Sequence, residues 1–164
     1  MIDRDHKEIA FKLYDALKGQ YCLEPLTNTY QDISIIDAYK ISRNFLQRRI
    51  NDGDRLIGKK IGVTSEVVQE MLGVHQPDFG FLTSSMHHPN NAEIKIKDLL
   101  IQPRAEGEIA FILSNDLSGP GITHQDVKDS TESIVPCFEI VDSRIKDWNI
   151  KIEDTIADNA SCGV

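Results

Sequence analysis

The stretch Pro103-Arg104-Ala105-Glu106-Gly107-Glu108-Ile109-Ala110-Phe111-Ile112-Leu113 sets two acids two residues apart at the start of an apolar run. Side chains on a strand alternate between faces, so both carboxylates share one face. A second strand-like segment, Ile134-Val135-Pro136-Cys137-Phe138-Glu139-Ile140-Val141-Asp142, carries Glu139 between large apolar neighbours. An ionised acid there is costly unless something positive sits beside it. Three acids on neighbouring strands point to an oxygen-ligand metal site built from Glu106, Glu108 and Glu139. The competing reading is a set of ion-paired strand acids near Arg104, because structural ion pairs also gather carboxylates. Gly107 falls on the opposite face, where its missing side chain leaves room for another strand to pack closely behind.

Carboxylate ligands without cysteine suit hard cations such as Mg2+ or Mn2+, with water or substrate oxygens completing an octahedron. Such an ion is a Lewis acid, able to stabilise the enolate of a chelated 2-oxo acid. Composition is compatible with an enzyme of this kind. The 164 residues suffice for one domain with a substantial core. Apolar residues make up 40% and charged ones 27%, which places the chain among globular proteins. The net charge of −8 offers no basic patch to replace the counterions of a nucleic acid. The first residues, Met1-Ile2-Asp3-Arg4-Asp5-His6-Lys7-Glu8, are charged, and no apolar run of about 18 residues follows anywhere. A cytoplasmic protein with no membrane partner is expected. Cys22, Cys137 and Cys162 are odd in number and far apart, and read as free thiols.

Around the acids, the period of the apolar residues assigns the elements. Asp3 or Asp5 caps a helix to about Lys18, with Ile9, Leu13 and Leu17 forming its stripe and Gly19 stopping it. Tyr21 to Gln31 reads as a loop. Ser34 caps a second helix that runs to about Ile50 and ends at the turn Asn51-Asp52-Gly53-Asp54. From Arg55 the period becomes two, and Leu56 to Thr64 reads as a strand. Gly58, Lys60 and Gly62 share one of its faces, so Lys60 stands between residues lacking side chains, in open space suited to close approach by a ligand or another backbone. The alternative for Lys60 is an exposed edge-strand lysine.

A short helix from Glu66 to Leu72 ends at Gly73. His75-Gln76-Pro77-Asp78-Phe79-Gly80 reads as a loop, serving either turn chemistry or a polar site. His87-His88 lies in an exposed loop with no acid at ligand spacing. Thr123 caps a helix over about Gln125 to Ser133, the Glu139 strand follows, and residues 154–161 read as a polar loop.

In chain order, Gly58-Lys59-Lys60-Ile61-Gly62-Val63-Thr64-Ser65, Gln76-Pro77-Asp78-Phe79-Gly80, Gln102-Pro103-Arg104-Ala105-Glu106-Gly107-Glu108-Ile109-Ala110-Phe111, Glu139-Ile140-Val141-Asp142-Ser143-Arg144-Ile145 and Ala157-Asp158-Asn159-Ala160-Ser161 resemble the ordered signatures of the 2-oxopent-4-enoate hydratase family. That family belongs to the fumarylacetoacetate hydrolase superfamily. The resemblance implies that Glu106, Glu108 and Glu139 are ligands of Mg2+ or Mn2+, that Lys60 and Asp78 handle protons and substrate, and that Ser161 contacts the substrate carboxylate. It implies addition of water to 2-hydroxypenta-2,4-dienoate, giving 4-hydroxy-2-oxopentanoate in meta-cleavage breakdown of aromatic compounds. A proton would reach carbon 5 and water would add at carbon 4, with Lys60 or Asp78 as the acid–base partner.

A small 2-oxo or 2-hydroxy dienoate substrate, a homo-oligomer and a complex with 4-oxalocrotonate decarboxylase are the partners it implies. The alternatives are a 4-oxalocrotonate decarboxylase of the same superfamily, a hydratase for a longer 2-oxo-diene diacid, and a non-catalytic truncated remnant. The expected fold is α+β. Residues 1–53 form an N-terminal helical region containing a helical pair, and residues 54–164 the first part of a mixed, strongly bent β-roll of the fumarylacetoacetate hydrolase type, truncated at its C-terminal end relative to the family. The helix-then-strand order comes from periodicity and the name of the fold from the resemblance.

Overall fold

In the computed structural model, residues 3–164 are described; Met1 and Ile2, which open the charged N-terminal stretch, lie outside the described residues. Helix α1 (Asp3–Gly19) places Asp3 and Asp5 in its first turn, where the helix dipole favours negative charge, and buries Ile9, Ala10, Leu13 and Ala16 along one stripe. Helix α3 (Ile35–Asn51) is started by a capping box: Asp37 N–H donates to Ser34 Oγ at 3.2 Å, and Ser34 N–H donates to Asp37 Oδ2 at 3.2 Å. Both helices match the periodic reading of the sequence, but Asp3 and Asp5 lie inside the first turn of α1 and do not cap it, their charge being favoured there by the helix dipole.

Two further helices appear where loops are expected. Helix α2 (Leu26–Thr29) is one turn long, and helix α7 (Ile152–Ala157) falls largely within the polar 154–161 stretch. Asp154, fully buried, accounts for both. Its carboxylate accepts from Thr27 N–H at 3.1 Å, from Thr27 Oγ1 at 2.8 Å and from Lys151 N–H at 3.0 Å. A polar residue satisfied in this way is buried without contributing to an apolar period. Ile152, Ile156 and Ala157 then join Ile9, Leu13, Ile41, Phe45 and Ile145 in one core. Each large apolar side chain fully buried there contributes about 1.5–3 kcal/mol.

Strand β1 (Leu56–Gly62) pairs antiparallel with strand β2 (Asp78–Thr83), with Gly62 opposite Asp78 and Lys60 opposite Gly80. Asp78 to Gly80 therefore belongs to a strand and not to the loop expected over 75–80, because pairing with a partner distant in sequence supplies the backbone bonds. Helix α4 (Glu66–Leu72) is capped by Ser65 and ended by Gly73 in the left-handed region, φ 67°. Helix α5 (Ile96–Leu99) precedes strand β3 (Arg104–Leu113), which pairs with strand β4 (Thr131–Val141). Helix α6 (His124–Ser130) stops three residues before the expected end, where Thr131 begins the β-branched and aromatic run of β4. The described strands form two two-stranded sheets.

The fold is thus a mixture of helix and sheet. Residues up to Arg104 together with Ile140–Val164 form one compact unit, and Ala105–Glu139 forms a second. The core just described belongs wholly to the first. Among the described residues, no helix is long and apolar enough to cross a membrane.

Candidate active-site residues

In the second unit, alternation along β3 puts Glu106 and Glu108 on one face. Each of Glu106, Glu108 and Glu139 offers a carboxylate oxygen, and these oxygens all lie within 4.8 Å of one another. Glu106 and Glu108 are exposed and Glu139 is half-buried, with Oε1 shielded from solvent. Like charges this close repel by about 1 kcal/mol per pair even in water. A hard divalent cation held by Glu106, Glu108 and Glu139 would reverse that repulsion, since such ions favour carboxylate oxygens. The donor set therefore fits such an ion. Among the described residues, a Cβ on Gly107 would meet nothing within 4 Å, so the expected close packing behind it is not seen there.

Lys60, Asp78 and the segment bearing Ser161 lie in the first unit. The face of β1 carrying Gly58, Lys60 and Gly62 is half-buried, while Ile57 and Ile61 on the other face are 52% and 56% exposed. Lys60 is thus on the inner side and is not an exposed edge lysine. Asp78 is 3% exposed. Its carboxylate and the Lys60 stem crowd the same point: a Cβ on Gly62 would overlap Asp78 Oδ1 and lie 3.7 Å from Lys60 Cε. The reason for glycine at position 62 is therefore the space it yields to these side chains. Behind β2, Tyr39 of α3 stacks on Phe79 with ring centroids 4.5 Å apart. Burial first, and then the charge of Asp78, raise the Tyr39 phenol above its ordinary range.

Opposite Lys60, Gly80 admits a third segment. A Cβ there would come within 2.5 Å of Asn159 O and 3.1 Å of Ala160 Cβ. Asn159, Ala160 and Ser161 have φ of 57°, 52° and 50°, three successive residues in the left-handed region. Asn tolerates this conformation, whereas other L-residues lose roughly 1–2 kcal/mol each. The turn is held from two sides. Asn159 Oδ1 accepts from Phe81 N–H at 2.8 Å, and its Nδ2 donates to Phe81 O at 2.9 Å, so the carboxamide pairs with β2 as a neighbouring strand would. Arg144, 1% exposed, donates from Nε to Asp158 Oδ1 at 2.5 Å, from Nη2 to Asp158 O at 2.6 Å and from Nη1 to Cys162 O at 2.9 Å. Burial pushes the Asp158 carboxyl up to about 6, against the opposing pull of Arg144.

Ser161 is 3% exposed, and its Oγ has no hydrogen-bond partner among the described residues. A buried hydroxyl without a partner is costly, and a ligand oxygen would satisfy it. Asp142 completes the frame. Its N–H donates to Ser161 O at 2.8 Å, while its carboxylate accepts from Ile101 N–H at 3.0 Å and Gln102 N–H at 2.6 Å. Asn159, Arg144, Asp158 and Asp142 have no role in the sequence reading of the site beyond lying within quoted motifs. Three of them are buried ionisable residues, and their partners are distant in sequence or bound through backbone.

No family model matches the chain. Curated relatives do. The chain is 59% identical over 157 residues to a 2-hydroxypent-2,4-dienoate hydratase of Pseudomonas putida, covering 96% of this chain and 71% of that protein. It is 60% identical over 154 residues to a 2-hydroxyhexa-2,4-dienoate hydratase of Comamonas testosteroni, covering 93% of this chain and 58% of that protein. Among solved structures, a 4-oxalocrotonate decarboxylase from Pseudomonas putida G7 complexed with magnesium and adipate superposes with a TM-score of 0.94 at 26% identity, covering 99% of this chain and 62% of that one. The same enzyme complexed with calcium and acetate gives a TM-score of 0.92.

Proposed function

The chain belongs to the 2-hydroxypent-2,4-dienoate hydratase family, and from this premise we propose that it acts as a divalent-metal-dependent hydro-lyase. Its substrate is 2-hydroxypenta-2,4-dienoate, its product 4-hydroxy-2-oxopentanoate, and its setting the meta-cleavage degradation of aromatic compounds. The observation that carries this reading is the convergence of Glu106, Glu108 and Glu139, whose oxygens lie within 4.8 Å of one another. Magnesium and calcium accompany the decarboxylase that superposes on this chain, which supports a hard divalent cation here, Mg2+ or Mn2+. When bound, that cation supplies Lewis acidity favouring the enolate form of a 2-oxo acid.

The chain's own residues do the remaining work. Glu106, Glu108 and Glu139 hold the cation. Lys60 and Asp78, crowded above Gly62, move the protons: the one lost by the 2-hydroxyl is delivered to carbon 5 as the dienol becomes the ketone, and the one lost by the water that adds at carbon 4 is delivered to carbon 3. Ser161 Oγ, buried and without a hydrogen-bond partner among the described residues, donates to the substrate carboxylate and fixes the orientation of the diene. The finer description of the fold belongs to the same reading: after the helical region 1–53, residues 54–164 contribute to a bent β-roll. So do a homo-oligomeric assembly and a complex with 4-oxalocrotonate decarboxylase.

A decarboxylase is the second reading, favoured by the superposition at TM-score 0.94. Its 26% identity, against 59% and 60% for the hydratases, ranks it behind. Both readings meet one experiment. The protein is given 2-hydroxypenta-2,4-dienoate with Mg2+ and loss of the diene absorbance is followed, and 4-oxalocrotonate is offered in parallel while CO2 is collected. Turnover of the dienoate that is abolished by a chelator and restored by Mg2+ is expected. Turnover indifferent to the chelator would remove the metal from the reaction, and CO2 from 4-oxalocrotonate without hydration would establish the decarboxylase.

A further inference from the structure

We infer that Asn159 is a positioning residue whose carboxamide, by standing in for a strand beside β2, holds the left-handed turn that presents the Ser161 hydroxyl to the substrate. The inference deepens the reading of Ser161 as the contact for the substrate carboxylate and rests on it.

Four observations carry it. Phe81 exchanges both of its backbone hydrogen bonds with the Asn159 side chain, at 2.8 and 2.9 Å. A carboxamide is the only uncharged side-chain group, shared by Asn and Gln, that offers a donor and an acceptor side by side in the manner of a peptide unit. Gln would set that group one methylene further from the turn. Next, Asn159 begins three consecutive left-handed residues, a conformation that Asn accepts more readily than other side-chain-bearing residues. One residue thus supplies both the anchor and the backbone it anchors. Third, Gly80 lets the turn sit close: Asn159 O and Ala160 Cβ occupy the space its Cβ would take. Finally, the segment so held ends at Ser161, whose buried Oγ finds no partner among the described residues. A turn fixed this firmly around an unsatisfied hydroxyl is preorganised for a ligand that satisfies it.

The test is a double-mutant cycle on the metal-loaded protein, with 2-hydroxypenta-2,4-dienoate as the probe. Asn159→Gly keeps the left-handed backbone easy and removes the anchor. Asn159→Asp keeps the acceptor for Phe81 N–H but turns a second acceptor toward Phe81 O. Ser161→Ala removes the hydroxyl. Asn159→Gly and Ser161→Ala are each expected to raise KM about tenfold with kcat changed by less than about threefold, the signature of a lost hydrogen bond to a charged ligand group. The combination is expected to raise KM no further, because Asn159 acts through Ser161. Asn159→Asp should fall between wild type and Asn159→Gly. A lower melting temperature with KM unchanged in the Asn159 variants would make the residue merely structural and overturn the inference. So would additive effects of Asn159→Gly and Ser161→Ala. A Ser161→Ala enzyme with wild-type KM would remove the substrate contact itself and the inference with it, an outcome distinguishable from the other two. Should Asn159→Gly fail to fold, Asn159→Asp combined with Ser161→Ala gives the same cycle.

Discussion

The carboxylate of Asp78 lies where a side chain at position 62 would be. A Cβ on Gly62 would overlap Asp78 Oδ1, with Lys60 Cε 3.7 Å away. Gly62→Ala is therefore expected to displace the Asp78 carboxylate without unfolding the strand. Gly58→Ala is the control, since among the described residues its Cβ would meet only Leu82 at 3.6 Å, an ordinary contact. Misplacing an acid–base group by about 1 Å can cost about 100-fold in rate, so kcat/KM for the dienoate should fall by that order in Gly62→Ala and stay within a few-fold of wild type in Gly58→Ala. Equal activities would show that the Asp78 position is not critical.

Glu108→Gln and Glu139→Gln remove a charged ligand from the acid cluster while keeping its shape. Because Glu108 is exposed and the three carboxylates repel one another, the far-ultraviolet circular dichroism should be unchanged. Mg2+ affinity by titration calorimetry should weaken on the order of tenfold or more for each replacement. Undiminished Mg2+ binding would assign these acids a structural role.

Arg144 and Asp158 form an ion pair with side chains 1% and 0% exposed. Arg144→Met leaves Asp158 buried without its counter-charge and should destabilise the protein by about 3–5 kcal/mol. The midpoint of urea unfolding reports this directly. A loss below about 1 kcal/mol would mean that Asp158 is neutral when folded.

Asp54 joins the end of α3 to the end of β2. Burial acts to raise its pKa, but hydrogen bonds from Ser85, Thr83 and Ser84 outweigh burial and hold it well below the usual carboxylate range. The contacts include Ser85 Oγ at 2.6 Å and Ser84 Oγ at 2.7 Å. A depressed folded-state pKa gives stability that is present above the unfolded-state value, ~3.9, and lost as pH falls below it toward the folded value. Unfolding midpoints measured from pH 6 down to pH 2 should fall less steeply in Asp54→Asn than in wild type. Parallel profiles would show that Asp54 does not carry the acid dependence.

What could be read without coordinates is what depends on neighbours in the chain. Helix α1 follows from a 3.6-residue period and helix α3 from that period and the Ser34 cap, and the shared face of Glu106 and Glu108 follows from the alternation of a strand. The order of five motifs added the family. None of these required knowing which segments meet.

The rest depends on contacts between distant residues. Periodicity cannot register α2 or α7, because buried Asp154 satisfies its charge on Thr27 and Lys151 instead of marking a solvent face. It leaves Lys60 undecided between an inner and an outer face, which the burial of one face of β1 resolves. Likewise it reads 154–161 as loop, where Arg144 and the Asn159 carboxamide hold a left-handed turn against Gly80. For the pair this site turns on, Gly62 and Asp78, the sequence supplies both residues and their strand-compatible spacing. Only antiparallel pairing puts one opposite the other, because strand register is set by hydrogen bonds between segments and not by the order of residues within either.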